Sequence, residues 1–452
     1  MKFGRGIGPT GSPEQVQAQQ QQLRANPGDR IARHNLAVAL RRMGQPEEAL
    51  IEAERLWSEG FHRAETAVVR GNLLADAGRF DDAISAYRDA VRIKPEQLEA
   101  HQVLASLLPQ LGRADEALDS LRTGLESAPE FGPLWAMALD TAKSHHQFGQ
   151  LLEWAQAAGR QWPDDAVLET YRATALSGLG QDQEALAVLD RIIAREPGYG
   201  SAFTTKAHVL LRLGDPAAAA LAAERASQLD QTDQAAWSLL GVAWRLLDDP
   251  REHWLCDYDT FVMPIEIGTD PDLLEALGRR HAVSAHPADQ SLRGGTQTRG
   301  NLFETPDPVI LALAFALRDA AEERISHLPF DPTHPFLSRN TGSLSFPTSW
   351  SIRLRSEGFH VSHIHPVGWM SSAYYAHLPP EVQAGQGQGA LAFGVPDSAL
   401  GLDLPPRRVV QPKEGQLVLF PSYLWHGTTP FESAEPRITV AFDMLPVDNA
   451  AG

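Results

Sequence analysis

Histidine side chains in the C-terminal half of the chain stand at spacings that would bring their imidazoles together. His363 and His365 are two residues apart, and on an extended segment this spacing puts both side chains on one face. His426 follows 61 residues after His365, at the end of an apolar run and a Pro-Ser turn. Arg437 comes eleven residues later, and Thr439 lies two positions beyond it, on the same face of a predicted strand.

The elements that must carry these residues are predicted to be short strands. Residues 253–452 hold ten of the sixteen histidines, and their pattern consists of β-type runs broken by Pro and Gly. Two helical stretches come first, at about 269–281 and 307–326. The predicted strands of an all-β core, a sandwich or a barrel, are SFPTSWSIRLR, GWMSSAYYAHL, GALAFGV, QLVLFPS and RITVAFDML.

The first half of the chain is a repeat with a period of 34 residues. The positions that keep this period are glycines, with one slot skipped at His146: Gly44, Gly78, Gly112, Gly180 and Gly214. Alanines five residues after each glycine, and prolines at Pro95, Pro129, Pro163 and Pro197, keep the same period. A fixed period of this length is typical of helix–turn–helix arrays, in which Gly ends one helix and Pro cannot continue the next.

The best copy, residues 64–97, has small, turn and aromatic residues in the order of one known repeat, and the array resembles the tetratricopeptide (TPR) family. The resemblance covers six repeats over about 30–233, with Gln234–Leu247 as the start of a capping helix. It implies a groove that binds a peptide or protein segment. The alternative is that the array only dimerises the protein or packs on the second domain.

The order of histidines and arginine in the C-terminal region resembles the 2-oxoglutarate/Fe(II)-dependent oxygenases of the double-stranded β-helix fold. The resemblance covers roughly 253–446 and is most specific from Trp350 to Phe442, including HIHPVGWMSSAYYAHLP. It implies that His363 and His426 bind iron, that Arg437 pairs with the distal carboxylate of 2-oxoglutarate, and that Thr439 assists it. Tyr374 or Tyr375 is also expected to contact the cosubstrate. The implied cofactors are Fe(II), 2-oxoglutarate and O2.

One position departs from that family, because His365 stands where most members have Asp or Glu. Three readings stay open: ligation by three histidines, ligation by two with water or chloride in the third place, and no functional iron site. Arg437 also has an alternative role, in an ion pair with Glu432 or Glu435 at the surface. For Asp443, in the last strand, a structural and a catalytic role are equally expected.

The predicted architecture is therefore an all-α TPR solenoid followed by a mainly β, jelly-roll or cupin-like domain with flanking helices. The expected divisions are an N-terminal extension (1–29), the repeats (30–250) and the oxygenase-like domain (251–452). The expected function is a dioxygenase that hydroxylates a peptide or protein side chain recruited by the repeats. The alternatives are a non-catalytic scaffold with a degenerate barrel, and a small-molecule hydroxylase.

Composition excludes several other classes of protein. The formal net charge is −18 without a long Lys/Arg run, which disfavours nucleic-acid binding. Cys256 is the single cysteine and cannot form an intrachain disulfide. No apolar stretch of membrane-spanning length is present, and the first residues lack the apolar core of a signal peptide, so a cytoplasmic location is expected. The sequence leaves a homo-oligomer open.

Overall fold

The computed structural model describes residues 12–287, 292–298 and 300–447. Residues 1–11 of the predicted N-terminal extension lie outside this part, as does the very end of the chain. The chain forms two compact units, Met1–His145 and His146–Gly452. None of the helices in the described ranges combines the length and the apolar character that a bilayer crossing needs.

The first unit consists of helices that alternate with short turns. Their bounds are α1 (Pro13–Ala25), α2 (Arg30–Arg42), α3 (Pro46–Ser58), α4 (Ala64–Asp76), α5 (Phe80–Ile93), α6 (Leu98–Gln110), α7 (Ala114–Ser127) and α8 (Gly132–Ser144). The second unit begins with further repeat helices: α9 (Phe148–Gln161), α10 (Ala166–Gly178), α11 (Asp182–Arg195), α12 (Gly200–Arg212), α13 (Pro216–Leu229) and α14 (Gln234–Leu246). The glutamine-rich segment that precedes the repeats forms most of α1.

Turns between paired helices keep one backbone conformation at every slot of the 34-residue period. The φ angle is 73° at Gly78 and 75° at Gly214, in the left-handed region that glycine enters without a steric penalty. His146, which fills the skipped slot, has φ 53°, and Asp248, the next slot after Gly214, has φ 52°. The backbone therefore keeps the period even where the sequence loses the glycine.

Small residues allow the paired helices to approach closely. A Cβ atom added at Gly71 would lie 2.7 Å from the ring of Tyr87, so α4 and α5 can pack at this distance only around a glycine. Ala83 and Ala90 are completely buried on the same helix as Tyr87. The predicted solenoid of small-residue helix pairs is confirmed.

The rest of the second unit is rich in antiparallel strands. These are β1 (Met263–Glu266), β2 (Ala285–Pro287), β3 (Leu292–Thr298), β4 (Leu344–His360), β5 (Met370–His377), β6 (Leu391–Phe393), β7 (Arg408–Val410), β8 (Gln416–Pro421), β9 (His426–Thr428) and β10 (Arg437–Pro446). The accompanying helices are α15 (Arg251–Cys256), α16 (Tyr258–Phe261), α17 (Leu273–Ser284), α18 (Pro308–Ser326) and α19 (Pro380–Gln383). All five predicted strands are present, and α17 and α18 fall on the two predicted helical stretches.

The strands form two antiparallel sheets. The larger sheet has the order β1-β8-β5-β10-β4-β3-β2, and the smaller has the order β7-β6-β9. Strand β10 lies near the middle of the larger sheet, between β5 and β4. Because side chains alternate along a strand, Arg437, Thr439, Ala441 and Asp443 share one face of β10. The predicted mainly β region after the solenoid is confirmed.

The last repeat helices and the larger sheet share one hydrophobic core. Buried residues of α12, α13 and α14 belong to the same cluster as residues of β4, β5, β8 and β10. The guanidinium of Arg245, on α14, donates to the carbonyl oxygens of Gly394 (2.6 Å) and Pro405 (2.7 Å). The change from helices to strands near residue 250 therefore does not separate two cores.

Candidate metal centre

Three histidine side chains converge in the second unit. The potential ligand atoms of His363, His365 and His426 all lie within 4.8 Å of one another. The ring centroids of His363 and His426 are 4.4 Å apart, and the Nε2 atoms of His363 and His365 are separated by 3.2 Å. The structure thus brings together the close pair and the distant histidine that the sequence predicts.

Backbone pairing explains why His363 and His426, 63 residues apart, meet. The segment that follows β4 runs antiparallel to β9, and His363 and His426 exchange two backbone hydrogen bonds, of 3.0 and 3.1 Å. Two residues later, the backbone N–H of His365 donates to the carbonyl oxygen of Ser422 (3.0 Å). Both histidines of the pair are therefore held against the segment that leads into His426.

Each of the three imidazoles has a hydrogen-bond acceptor at Nδ1. The Nδ1–H groups of His363 and His426 donate to the carbonyl oxygens of Val361 (2.8 Å) and Leu424 (2.9 Å). That of His365 donates to Oδ1 of Asp443 (2.5 Å). These acceptors specify the tautomer in which Nε2 carries a free lone pair, the form that binds a metal.

The environment of His426 favours a neutral imidazole. Burial lowers the pKa of His426 well below its usual value, and the neighbouring His363 and His365 lower it further. A neutral histidine is the form that coordinates a cation. The three convergent imidazole nitrogens therefore fit a divalent transition metal.

Arg437 lies on the larger sheet with its side chain 2% exposed. The Nε atom of Arg437 has no hydrogen-bond partner, and no carboxylate among the described residues pairs with the guanidinium. The Cζ atom lies 5.1 Å from the centre of the Tyr375 ring. Burial lowers the pKa of the guanidinium, and the Tyr375 phenol opposes this shift. The surface ion pair with Glu432 or Glu435 is absent; instead Glu435 lies 3.5 Å from Nε2 of His377.

Two hydroxyl groups beside Arg437 are also buried without a partner. They belong to Thr439, whose side chain is 4% exposed, and to Tyr375, which is completely buried. These two residues are opposite one another in the pairing of β10 with β5. The Nε atom of Arg437 and these two hydroxyls are a set of donors that a carboxylate would satisfy.

Tyr374 is not part of this group. Its side chain lies on the other face of β5, and its hydroxyl donates to the carbonyl oxygen of Gly268 (2.7 Å). Burial raises its pKa to about 12. Of the two tyrosines considered from the sequence, Tyr375 is therefore the one next to Arg437, and the expectation for Tyr374 is corrected.

Asp443 is a site residue that the sequence left undecided. Its Oδ1 atom accepts hydrogen bonds from His365 Nδ1 and from the Ser371 hydroxyl (2.8 Å). Asp443 is six residues after Arg437, so strand alternation places both on one face. This parity is the signal that could have assigned Asp443 to the site in advance.

Aromatic rings pack around the histidines. The Phe420 ring lies 4.5 Å from that of His426, and the Trp350 ring is nearly parallel to that of His365 at 6.0 Å. Another histidine, His360, is 6.0 Å from His363, but its backbone N–H and Nδ1 both contact the Thr428 hydroxyl. His360 therefore has a hydrogen-bond partner outside the three-histidine cluster.

Comparisons with known proteins identify two kinds of region in the chain. The family model described as "Putative 2OG-Fe(II) oxygenase" matches residues 348–443, from β4 to Asp443. Two models described as "Tetratricopeptide repeat" match residues 74–140 and 204–250. No curated protein matches the chain.

Several solved structures similar to the chain are tetratricopeptide repeat proteins. A tetratricopeptide repeat protein from Parabacteroides merdae is 19% identical, with 50% of this chain and 90% of that chain covered and a TM-score of 0.30. The C-terminal part of a TPR protein from Cytophaga hutchinsonii is 15% identical, with 50% and 93% covered and a TM-score of 0.39. YrrB, titled a TPR protein with an unusual peptide-binding site, is 17% identical, with 49% and 96% covered and a TM-score of 0.29.

The chain therefore combines tetratricopeptide repeats with a C-terminal domain, residues 348–443, that matches the 2OG-Fe(II) oxygenase family.

Proposed function

We propose that this protein is a 2-oxoglutarate- and Fe(II)-dependent oxygenase that hydroxylates a peptide or protein side chain recruited by its repeats. The observation that carries the proposal is the buried guanidinium of Arg437, which has no carboxylate partner among the described residues and whose Nε atom has no acceptor. It lies on the strand whose other end places Asp443 against His365. One face of β10 thus carries both the proposed carboxylate-binding residue, Arg437, and Asp443, the hydrogen-bond acceptor of a proposed metal ligand.

His363, His365 and His426 would hold the metal. Their Nδ1 atoms donate to acceptors within the protein, so hydrogen bonds keep the three rings oriented before any metal binds. When bound, iron and 2-oxoglutarate would supply the oxidising power that inserts one atom of O2 into a substrate C–H bond, with succinate and carbon dioxide as coproducts. Ligation by all three histidines is the reading that we adopt.

Arg437 would bind the distal carboxylate of the keto acid. A buried charge that lacks a partner lowers the stability of the fold by several kcal/mol, and a bound carboxylate would offset this loss. Guanidinium is planar and donates two parallel hydrogen bonds, which fits a carboxylate better than the point charge of a lysine. The hydroxyls of Thr439 and Tyr375 would donate to the same oxygen atoms, since both lack partners in the structure.

The aromatic residues would limit the access of water. Phe420 and Trp350 contact the rings of His426 and His365, and Phe393, completely buried, lies opposite His426 in the pairing of β6 with β9. Exclusion of water strengthens the interaction between Arg437 and a bound anion, because the local dielectric constant is low.

Tetratricopeptide repeats generally bind peptides or proteins, and this is the support for a peptide or protein substrate. A repeat array joined to an oxidising site raises the local concentration of any partner that it binds. Because α12–α14 share the core of the larger sheet, removal of residues 1–247 would also remove part of that core. Point variants of the full chain are therefore the suitable test.

The first experiment is an anaerobic titration of the full-length apoprotein with Fe(II) and then with 2-oxoglutarate. We expect the visible absorption band of the Fe(II)–2-oxoglutarate chelate to appear in the parent protein and to be absent in His426→Ala. Arg437→Met, which removes the proposed carboxylate-binding guanidinium, is titrated beside the parent. Arg353→Met is its matched control, because Arg353 is exposed and pairs with Ile438, whose side chain lies on the opposite face of the sheet from that of Arg437. No band in a folded parent protein would contradict the proposal and favour the scaffold alternative.

The second experiment tests the substrate class. The loaded protein is incubated with a peptide library and O2, and products are identified by a mass gain of one oxygen atom. We expect peptide oxidation that depends on 2-oxoglutarate and is lost in His426→Ala. Consumption of 2-oxoglutarate stimulated by small molecules but by no peptide would favour the small-molecule hydroxylase instead.

A further inference from the structure

Asp443 makes a set of hydrogen bonds that the metal-binding proposal does not itself require. Its Oδ1 atom accepts from His365 Nδ1 (2.5 Å) and from the hydroxyl of Ser371 (2.8 Å). Its Oδ2 atom accepts from the hydroxyl of Thr348, at 3.5 Å. The carboxylate is thus held by donors from β4 and β5, the two strands that flank β10.

The three histidines differ in how their rings are fixed. For His363 and His426, the acceptor is a backbone carbonyl two residues earlier in the chain, so the contact is local. For His365, the acceptor is a side chain 78 residues away, and it carries a formal negative charge. The orientation of His365 therefore depends on a charged side chain from another strand.

We propose that Asp443 is the positioning residue that makes His365 a metal ligand, an inference that rests on the proposed function. An ionised carboxylate only accepts hydrogen bonds, so it requires a proton on Nδ1 and leaves the lone pair on Nε2. The Nε2 atom of His365 then points to that of His363, 3.2 Å away. Hydrogen bonding to a carboxylate also makes the imidazole a stronger ligand for a cation.

The surroundings of the carboxylate fit this role. The Ser371 hydroxyl also contacts the hydroxyl of Ser422, at 2.8 Å, and the backbone carbonyl of Ser422 holds the N–H of His365. A Cβ atom at Gly368 would lie 2.4 Å from the Ser422 hydroxyl and 3.4 Å from Cγ of Asp443. A glycine at this position therefore leaves the space in which the network forms.

The test measures the affinity of the full-length protein for Co(II), a spectroscopic substitute for Fe(II), by anaerobic titration of its visible absorption. We expect Asp443→Asn, which removes the charge at nearly constant size, to weaken Co(II) binding about 10- to 100-fold, the usual effect of losing such a partner. Ser371→Ala is the matched control, because it removes another hydrogen bond to the same oxygen but leaves the His365 contact in place. It should change the affinity much less.

A double-mutant cycle separates positioning from a general structural role. If Asp443 acts through His365, the Asp443→Asn change should have no further effect on Co(II) affinity in a His365→Ala background. An equal loss in both backgrounds, or unchanged affinity in Asp443→Asn alone, would overturn the inference. If the parent protein binds Co(II) and 2-oxoglutarate while Asp443→Asn matches it, only this inference fails; a parent that binds no metal overturns the proposed function as well.

Discussion

Two buried arginines, one in each unit, are treated by the fold in opposite ways. Arg33, on α2, is 4% exposed, and its guanidinium donates to Glu52 (2.8 Å) and to the carbonyl oxygen of Pro27 (2.7 Å). Arg437, on β10, is 2% exposed, yet it has no carboxylate partner in the described structure, and its Nε atom lacks any acceptor. The charge of Arg33 is neutralised by a carboxylate within the fold, whereas in the described ranges that of Arg437 is not.

Under the proposed function, the difference separates an arginine that stabilises the fold from one that is available to bind a ligand. A buried ion that lacks a partner destabilises a protein, so it persists where another requirement maintains it. Thr439 and Tyr375, next to Arg437, repeat the pattern with hydroxyls that have no partner. The helical repeats bury mostly small apolar side chains against one another. This part of the sheet instead buries hydrogen-bond donors that an anion could satisfy.

The largest expected effect comes from the proposed metal site formed by His363, His365 and His426. His426→Ala should abolish Fe(II) binding and all 2-oxoglutarate turnover. The variant loses the buried histidine of the cluster and keeps only two of the three proposed ligands. Metal content after anaerobic loading measures this change. His377→Ala is the control, since His377 lies near Glu414 and Glu435 instead of the cluster, and it should retain the metal.

The next effect would test the contrast between the two arginines at Arg437. Arg437→Met should weaken 2-oxoglutarate binding by about 2–5 kcal/mol, or roughly 30- to several-thousand-fold, because a buried charge pair with the carboxylate is lost. The thermal stability of the apoprotein should be unchanged or higher, because an unpaired buried charge is replaced by an apolar side chain. A clear loss of apoprotein stability would break the contrast.

The complementary change is at Arg33. Arg33→Met should lower the free energy of unfolding by about 1.5–3 kcal/mol, the usual worth of a hydrogen bond to a charged group, because Glu52 loses its partner. Urea denaturation followed by circular dichroism measures the change. Co(II) affinity should stay at the parent value, and a weakened metal site in this variant would contradict the assignment of Arg33 to the fold alone.

The smallest effect is expected at Thr439. Thr439→Val keeps the shape of the side chain and removes its hydroxyl, which should cost about 0.5–1.5 kcal/mol of 2-oxoglutarate binding, roughly 2- to 12-fold. Thr428→Val is a comparison variant, because the Thr428 hydroxyl already contacts the N–H of His360. If Thr439→Val bound the keto acid as the parent does, its free hydroxyl would have no part in the carboxylate site.

Most of the fold could be predicted because its signals are local and repeated. The 34-residue period specifies helix ends several times over, so the loss of glycine at His146 leaves the turn with the same left-handed backbone. The strands around His363 and His426 were also readable from alternation and from Pro and Gly. The packing of α12–α14 on the larger sheet was not, because no short-range pattern encodes which apolar faces meet.

The amino-acid sequence by itself determined the repeats, the strand-rich region and the three converging histidines, His363, His365 and His426, and it singled out Arg437. The tertiary structure decided which side chains are neighbours. It placed Asp443 on His365 and left Arg437 without an acid, and it directed Tyr374 to Gly268 but Tyr375 to Arg437. The reason is physical: spacing along a strand fixes the face of a residue, whereas the partner across a sheet depends on register and on chain segments far away in sequence.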